Sequence, residues 1–146
     1  MELPEYVTQE EVKRVCRNLG INDWTQLEEP KVDLDEAGII LKEVNTSGMP
    51  LKLEDFAAGL EVELEHGLRF PDANVTNNHP ILTGKIVLAH FKESLDYYQR
   101  LEVAELEGDL LKALDANDLE KVKSKYKKLT QARTALNEKE RELLGG

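Results

Sequence analysis

An all-α fold, a compact multi-helix bundle with a C-terminal antiparallel helical hairpin, is what this 146-residue sequence predicts. Three observations carry that expectation. Apolar residues recur at three- and four-residue spacing in one segment after another. Capping patterns open two segments, and clusters of Gly, Asn and Pro separate others. The link "DAND" near the C-terminus is so short that the helices flanking it must run antiparallel.

The elements follow in order. Thr8-Gln9-Glu10-Glu11 is a capping box, which satisfies free N–H groups at a helix start. It predicts a helix from about Gln9 to Asn18, ended by Gly20, with Val12, Val15, Cys16 and Leu19 as its apolar stripe. "NDWTQL" reads as a short helical turn burying Trp24, and an irregular stretch follows around Pro30. A second helix starts near Asp33 or Asp35, carries Leu34, Ala37, Leu41 and Val44, and is closed by "NTSGMP". The third runs from about Leu53 to His66, and "GLRFPDANVTNNHP" is a loop. Asn78 is the expected cap of a fourth helix, which has Pro80 in its first turn and continues to about Lys92. "KESLD" bends or interrupts the chain before a helix from Tyr97 to about Asp115. Asn117-Asp118-Leu119-Glu120 is a second capping-box pattern, with Asn117 in the cap role. The last helix then runs to about Leu143 before Gly145-Gly146, with Leu119, Val122, Tyr126, Leu129 and Leu136 as its seam.

The length suits one domain, residues 1–146, made of N-terminal helices (1–50), a Glu/His helix pair (51–102) and the hairpin (103–146). A formal net charge of -10 argues against nucleic acid and anionic membranes as partners. No apolar run approaches the roughly 20 residues needed to span a bilayer. Cys16 is the only cysteine, so an internal disulfide and a Cys-rich zinc site are excluded. The acidic start "MELPEYVTQEE" lacks a secretory pattern. Together these point to a cytoplasmic protein, or one made in the cytoplasm.

One constellation suggests chemistry. "VELEHG" places Glu63 and His66 three apart, and "LAHFKESLDYY" places His90 and Glu93 three apart in the reverse order. On a helical wheel Glu63 falls within the arc of Phe56, Leu60 and Leu64, and His66 falls near Gly59, while Glu61 and Glu65 point to water. His90, Glu93 and Tyr97 share a side with Leu82 and Ile86. Antiparallel packing of the two helices sets like residues roughly level. Two carboxylates and two imidazoles are the ligand chemistry of iron, manganese or zinc. Tyr97, one turn beyond Glu93, is then a group to orient that ligand. Two other readings stand beside this one: a buried Glu–His hydrogen-bond network that only fixes the fold, or solvated surface residues. Di-iron bundles add carboxylates from further helices. Glu36 and Glu43 lie off the second helix's apolar arc, so a mononuclear site, or one completed by water or a second subunit, fits better.

At these residues the chain resembles a small uncharacterised domain family of prokaryotic and phage-derived genomes. The match rests on "GLEVELEHG" and "TGKIVLAHFKESLDYYQRLE", through Gly59, Val62, Glu63, Glu65, His66, Ala89, His90, Glu93, Tyr97, Tyr98 and Leu101. Phe91 stands where the family pattern has Leu, and Leu95 where it often has Pro. The resemblance spans about Leu53 to Glu102 and implies a shared domain with His66, His90 and Glu93 in its pattern, but no reaction. A phage or virion component is suggested by the resemblance alone.

Other candidates are weaker. There is no phosphate-binding glycine loop, no H-E-x-x-H and no G-x-S-x-G. Cys16 reads as a small core residue and His79 as an exposed loop residue; Asn74, Thr76, Asn77 and Asn78 could line a small site, but turn chemistry explains them. From Leu119 to Arg133 there are six Lys or Arg and one Glu, better explained by a solvated face meeting an acidic neighbour than by nucleic acid. Three functions follow from the sequence: a metal-binding helical protein; a structural or interaction module that pairs with itself or a partner through the hairpin; and, last, a metal-free acid–base enzyme.

Overall fold

The computed structural model describes residue 4 and residues 6–145. It is all-α, with six α-helices and two short 3-10 turns, and no strand among the described residues. The chain divides into two compact units, residues 1–89 and 90–146, the division falling one turn before the end of the fourth helix. Among the described residues, no helix is long and apolar enough to cross a membrane.

In the first unit, α1 (Gln9–Leu19) opens where Thr8 Oγ1 accepts the Glu11 N–H at 3.2 Å. It closes where Gly20 turns left-handed at φ 71°, a conformation glycine adopts without strain. Val12 and Cys16 are its buried residues. Trp24, in the 3-10 turn Trp24–Gln26, is wholly buried.

Helix α2 (Leu34–Val44) buries Glu36, Ala37, Ile40 and Val44. This corrects the predicted stripe in two places: Leu34 is exposed, and Glu36 faces inward. The reason is a hydrogen-bond demand. Trp24 has an indole N–H that burial would leave unpaired, and Glu36 accepts it at 3.1 Å. The other Glu36 oxygen accepts the Asn22 backbone N–H at 2.6 Å. One carboxylate therefore holds the link between α1 and α2. Asn45 then closes α2's exit, its side chain exchanging two hydrogen bonds with the Met49 backbone.

Helix α3 (Leu53–Arg69) runs three residues past the predicted end. Its buried stripe is Phe56, Ala57, Gly59, Leu60 and Leu64. Glu61, expected in water, is half-buried and accepts the Val32 N–H at 3.2 Å.

A 3-10 turn at Pro71–Ala73 leads to α4 (Pro80–Glu93). Its start corrects two expectations. His79, not Asn78, caps the helix, and His79 is buried rather than exposed. Its Nδ1 accepts the Ile81 and Leu82 N–H groups at 3.2 and 3.4 Å. Asn77 and Asn78 instead take consecutive left-handed conformations, φ 47° and 59°, which asparagine tolerates better than most residues.

The His79 cap works only with Nδ1 unprotonated. Burial pushes the imidazole below its ordinary value; Glu11 partly opposes this and Arg14 adds to it. A lowered folded-state pKa means stability is fully present above the ordinary histidine value of about 6.5 and declines as pH falls below it. Urea midpoints across pH 8 to 5 (the range about that value) should therefore fall. The loss should be smaller by on the order of 1 kcal/mol in His79→Asn, whose amide caps without titrating. Equal slopes in both proteins would remove His79 as the cause.

The buried side of α4 is Thr83, Gly84, Val87, Leu88 and Phe91, not the predicted Leu82–Ile86–His90–Glu93 side. Apolar residues surround this helix, so a wheel leaves its orientation open. Gly84 decides it. A Cβ there would lie 2.6 Å from Ile40 Cγ2 and 3.3 Å from Val44 Cγ1, so the α4 backbone lies directly against α2 side chains at this point.

The second unit holds the last turn of α4, then α5 (Tyr97–Asp115) and α6 (Leu119–Leu143), which form the expected antiparallel hairpin. Asp96 stands before α5 and is buried. Burial alone would raise its carboxyl pKa; hydrogen bonds from Arg100, at 2.6 Å, and from the Ser94 hydroxyl pull it below the usual range. At the hairpin turn Asn117 is left-handed and Asp118 is the cap, accepting the Lys121 N–H at 3.0 Å, so the predicted capping roles move on by one residue. Leu106, Leu129 and Ala132 form the buried core, with Val103 and Leu110 against it. Ion pairs tie the helices together, among them Asp109–Lys125 at 2.6 Å, Glu107–Arg133 at 2.7 Å and Arg100–Glu140 at 2.6 Å. Leu119 and Tyr126, predicted in the seam, are exposed. Lys125 takes the inward position instead, its stem half-buried and its ammonium on Asp109.

Candidate functional site

Glu63 and His66 open onto one cavity of about 240 Å³ in the first unit. Helix α3 supplies both residues, a turn apart, and α4 supplies Thr83 and Ile86 from the facing side. The loop between them supplies Phe70, Asn74, Val75 and Thr76. The loop is held close by its own amides. Asn74 Nδ2 donates to Asn78 Oδ1 at 2.9 Å and to the Gly67 carbonyl at 3.3 Å, and the Thr76 hydroxyl donates to Asn74 Oδ1 at 3.2 Å. A Cβ on Gly67 would overlap Asn78 Oδ1 and stand 2.9 Å from Asn74 Nδ2. Glycine at 67 therefore lets the loop lie against α3, and that contact makes one wall.

The two residues differ in setting. Glu63 sits at the edge of the buried stripe and is half-buried. His66 is exposed, a correction to its expected place on the apolar side. It stands in the last turn of α3, beyond Leu64, the last buried residue of that helix. A half-sheltered carboxylate next to an accessible imidazole, with amide and hydroxyl groups opposite, can accept hydrogen bonds or donate lone pairs to a cation. Phe70, Val75 and Ile86 give the mouth an apolar rim.

His90 and Glu93 belong to the second unit, in the last turn of α4. His90 is half-buried and Glu93 exposed. The Tyr97 ring stacks on the His90 imidazole, centroids 4.0 Å apart and planes 11° from parallel. Tyr98 meets His90 edge-on at 6.0 Å and Phe91 at 5.3 Å. Tyr97 thus engages the imidazole face, where the sequence suggested a bond to Glu93. Among the described residues, no group of three or more His, Cys, Asp or Glu is placed to hold a metal ion. Cys16 is buried, and burial pushes its thiol up, away from the reactive thiolate.

The wheel reached Glu63 and His66 but missed Thr83, Phe70 and Ile86 as cavity walls. Their role depends on how the loop folds back, and Gly67 is the one local signal of that.

Fold and site together define a small all-α domain with a Glu–His wall on a cavity between two helices and a loop. The chain belongs to the family described as protein of unknown function (DUF5661), which matches residues 12–107. The match takes in most of α1, then α2 to α4 and about the first half of α5, a longer stretch than the Glu–His segments alone, and leaves α6 outside. No curated protein and no solved structure matches the chain.

Proposed function

We propose that this chain is a binding domain whose α3–α4 cavity takes a divalent transition-metal ion, with Glu63 and His66 as its protein ligands. One observation carries the reading: the carboxylate and the imidazole singled out by spacing line the same cavity. A carboxylate oxygen and a neutral imidazole nitrogen suit iron, manganese or zinc. With two protein ligands the ion keeps several positions for water or for a ligand's own donor atoms.

The test is metal content. Protein purified without chelator is measured by elemental mass spectrometry, beside Glu63→Gln and His66→Ala. Near-stoichiometric metal lost in Glu63→Gln and His66→Ala is the expected result. Metal retained in Glu63→Gln and His66→Ala removes these two residues as its ligands. No metal in the wild type, including after incubation with each ion, overturns the reading.

A second reading, an interaction module, is favoured by a separate observation. Several large apolar side chains stand exposed near the end of the hairpin.

A further inference from the structure

His79 is buried where the loop joins α4, and the binding role proposed above does not use it. Its ring, its amide and its carbonyl each hold a different part of the cavity's surround. Nδ1 accepts the Ile81 and Leu82 N–H groups and so caps α4. The backbone N–H donates to the Thr76 carbonyl at 2.9 Å. The backbone carbonyl accepts the Thr83 hydroxyl and the Thr83 N–H, both at 2.9 Å. Thr76 and Thr83 are walls of the α3–α4 cavity, one from the loop and one from the helix. Asn78, the residue before, accepts the Asn74 amide that also reaches the Gly67 carbonyl.

The loop has little hold on its own shape. Asn77 and Asn78 are both left-handed, a sparsely populated conformation that persists where surrounding contacts fix it. Those contacts include the Asn74–Asn78 bond, an Asn77 bond to the Val7 carbonyl at 2.5 Å, and the cap at His79. Of these, the cap is the one that a proton breaks. A protonated Nδ1 donates and no longer accepts, so two N–H groups of α4 lose their acceptor and a positive charge stands at the helix's positive end. From α1, Glu11 favours the imidazolium, and Arg14, bonded twice to Glu11 at 2.7 and 2.6 Å, disfavours it. Burial disfavours it more than either, so the charge is best accommodated with the ring turned away from the start of α4.

We propose that His79 is an acid-operated latch on the α3–α4 cavity: protonating its ring releases the first turn of α4 and the Asn74–Asn78 loop together, and the cavity opens. The latch regulates the site read above as a metal site and in that sense rests on it, but its geometry does not depend on what fills the cavity. It is closed above the ordinary histidine value of about 6.5 and opens as pH falls through the lower value that burial imposes.

The experiment is a nuclear magnetic resonance titration of the isotope-labelled full chain, with chelator present, from about pH 7.5 to about pH 5. It follows the His79 ring nitrogens, the Thr76 and Thr83 amides and the Asn74 side-chain amide. His79→Asn, which caps without titrating, is measured beside it. In the wild type these signals should move with one midpoint. Below it the Asn74 amide should exchange with water about tenfold faster, relative to an unfolded chain at the same pH. In His79→Asn that shared transition should be absent. His66 is present in both proteins, so a response to its ring survives the substitution and is told apart. Glu11→Gln leaves the cap in place and removes the group that favours the imidazolium, so the ring and cavity midpoints should fall together by roughly half a pH unit. A ring that stays neutral throughout, shifts confined to residues 79–82, a cavity transition that survives His79→Asn, or a ring midpoint that moves in Glu11→Gln without the cavity's each overturns the proposal. With chelator present the outcome is separate from metal content: a chain that binds no ion yet shows the transition loses the metal reading and keeps the latch.

Discussion

Glu36→Ala is expected to destabilise the first unit by about 2–4 kcal/mol, read as a shift in the urea midpoint. The substitution removes two hydrogen bonds to a carboxylate. It also strands the Trp24 indole N–H in a wholly buried setting and frees the Asn22 backbone N–H. An unpaired buried donor bears its full desolvation cost, which is why the effect exceeds that of an ordinary hydrogen bond. Glu36→Gln keeps one acceptor oxygen and should fall between alanine and wild type. A midpoint unchanged by Glu36→Ala would mean that water reaches the indole and that Glu36 is not what joins α1 to α2.

Gly84→Ala is the second large effect, and its sign is the informative part. In an exposed helix this change stabilises by up to about 1 kcal/mol, through backbone entropy. Here the new methyl would stand 2.6 Å from Ile40 Cγ2, with Val44 and Phe56 closing the other directions. Overpacking a filled core costs about 1–3 kcal/mol, so the net expectation is a loss of about 1–2 kcal/mol. Gly108→Ala, on α5 with open space around its Cβ position, is the matched control and should stabilise. Adding Ile40→Ala to Gly84→Ala should cost less than the sum of the two changes, because each relieves the other. A stabilising Gly84→Ala would show that α4 does not approach α2 closely at this point.

How much of this was legible in the sequence depends on whether a signal was local. The Thr8 cap, the Gly20 stop and the span of α5 from Tyr97 to Asp115 follow from neighbouring residues, and each stands where its spacing put it. The facing of α4 was not legible, because Leu82, Ile86, Val87 and Leu88 offer apolar surface on more than one side. A missing side chain at 84 broke the tie, and only the packed neighbours reveal that. Glu36 and His79 were misread for a related reason. A polar residue is assigned to water unless its partner is known, and the partners here are an indole at Trp24 and two N–H groups at a helix start. The candidate site divides in the same way. Glu63 and His66 were found by spacing, whereas the cavity they share is made by a loop folding onto Gly67.

The chain's single tryptophan and its single cysteine both lie buried in the unit formed by residues 1–89. Intrinsic indole fluorescence and thiol labelling are therefore reporters of that unit alone. Circular dichroism weighs both units, and the long α5 and α6 give the second a large share of the helical signal. A melt followed by both optical methods on one sample separates two cases without any engineered label. Coincident curves mean one cooperative transition. Displaced curves give the order in which the two parts come undone.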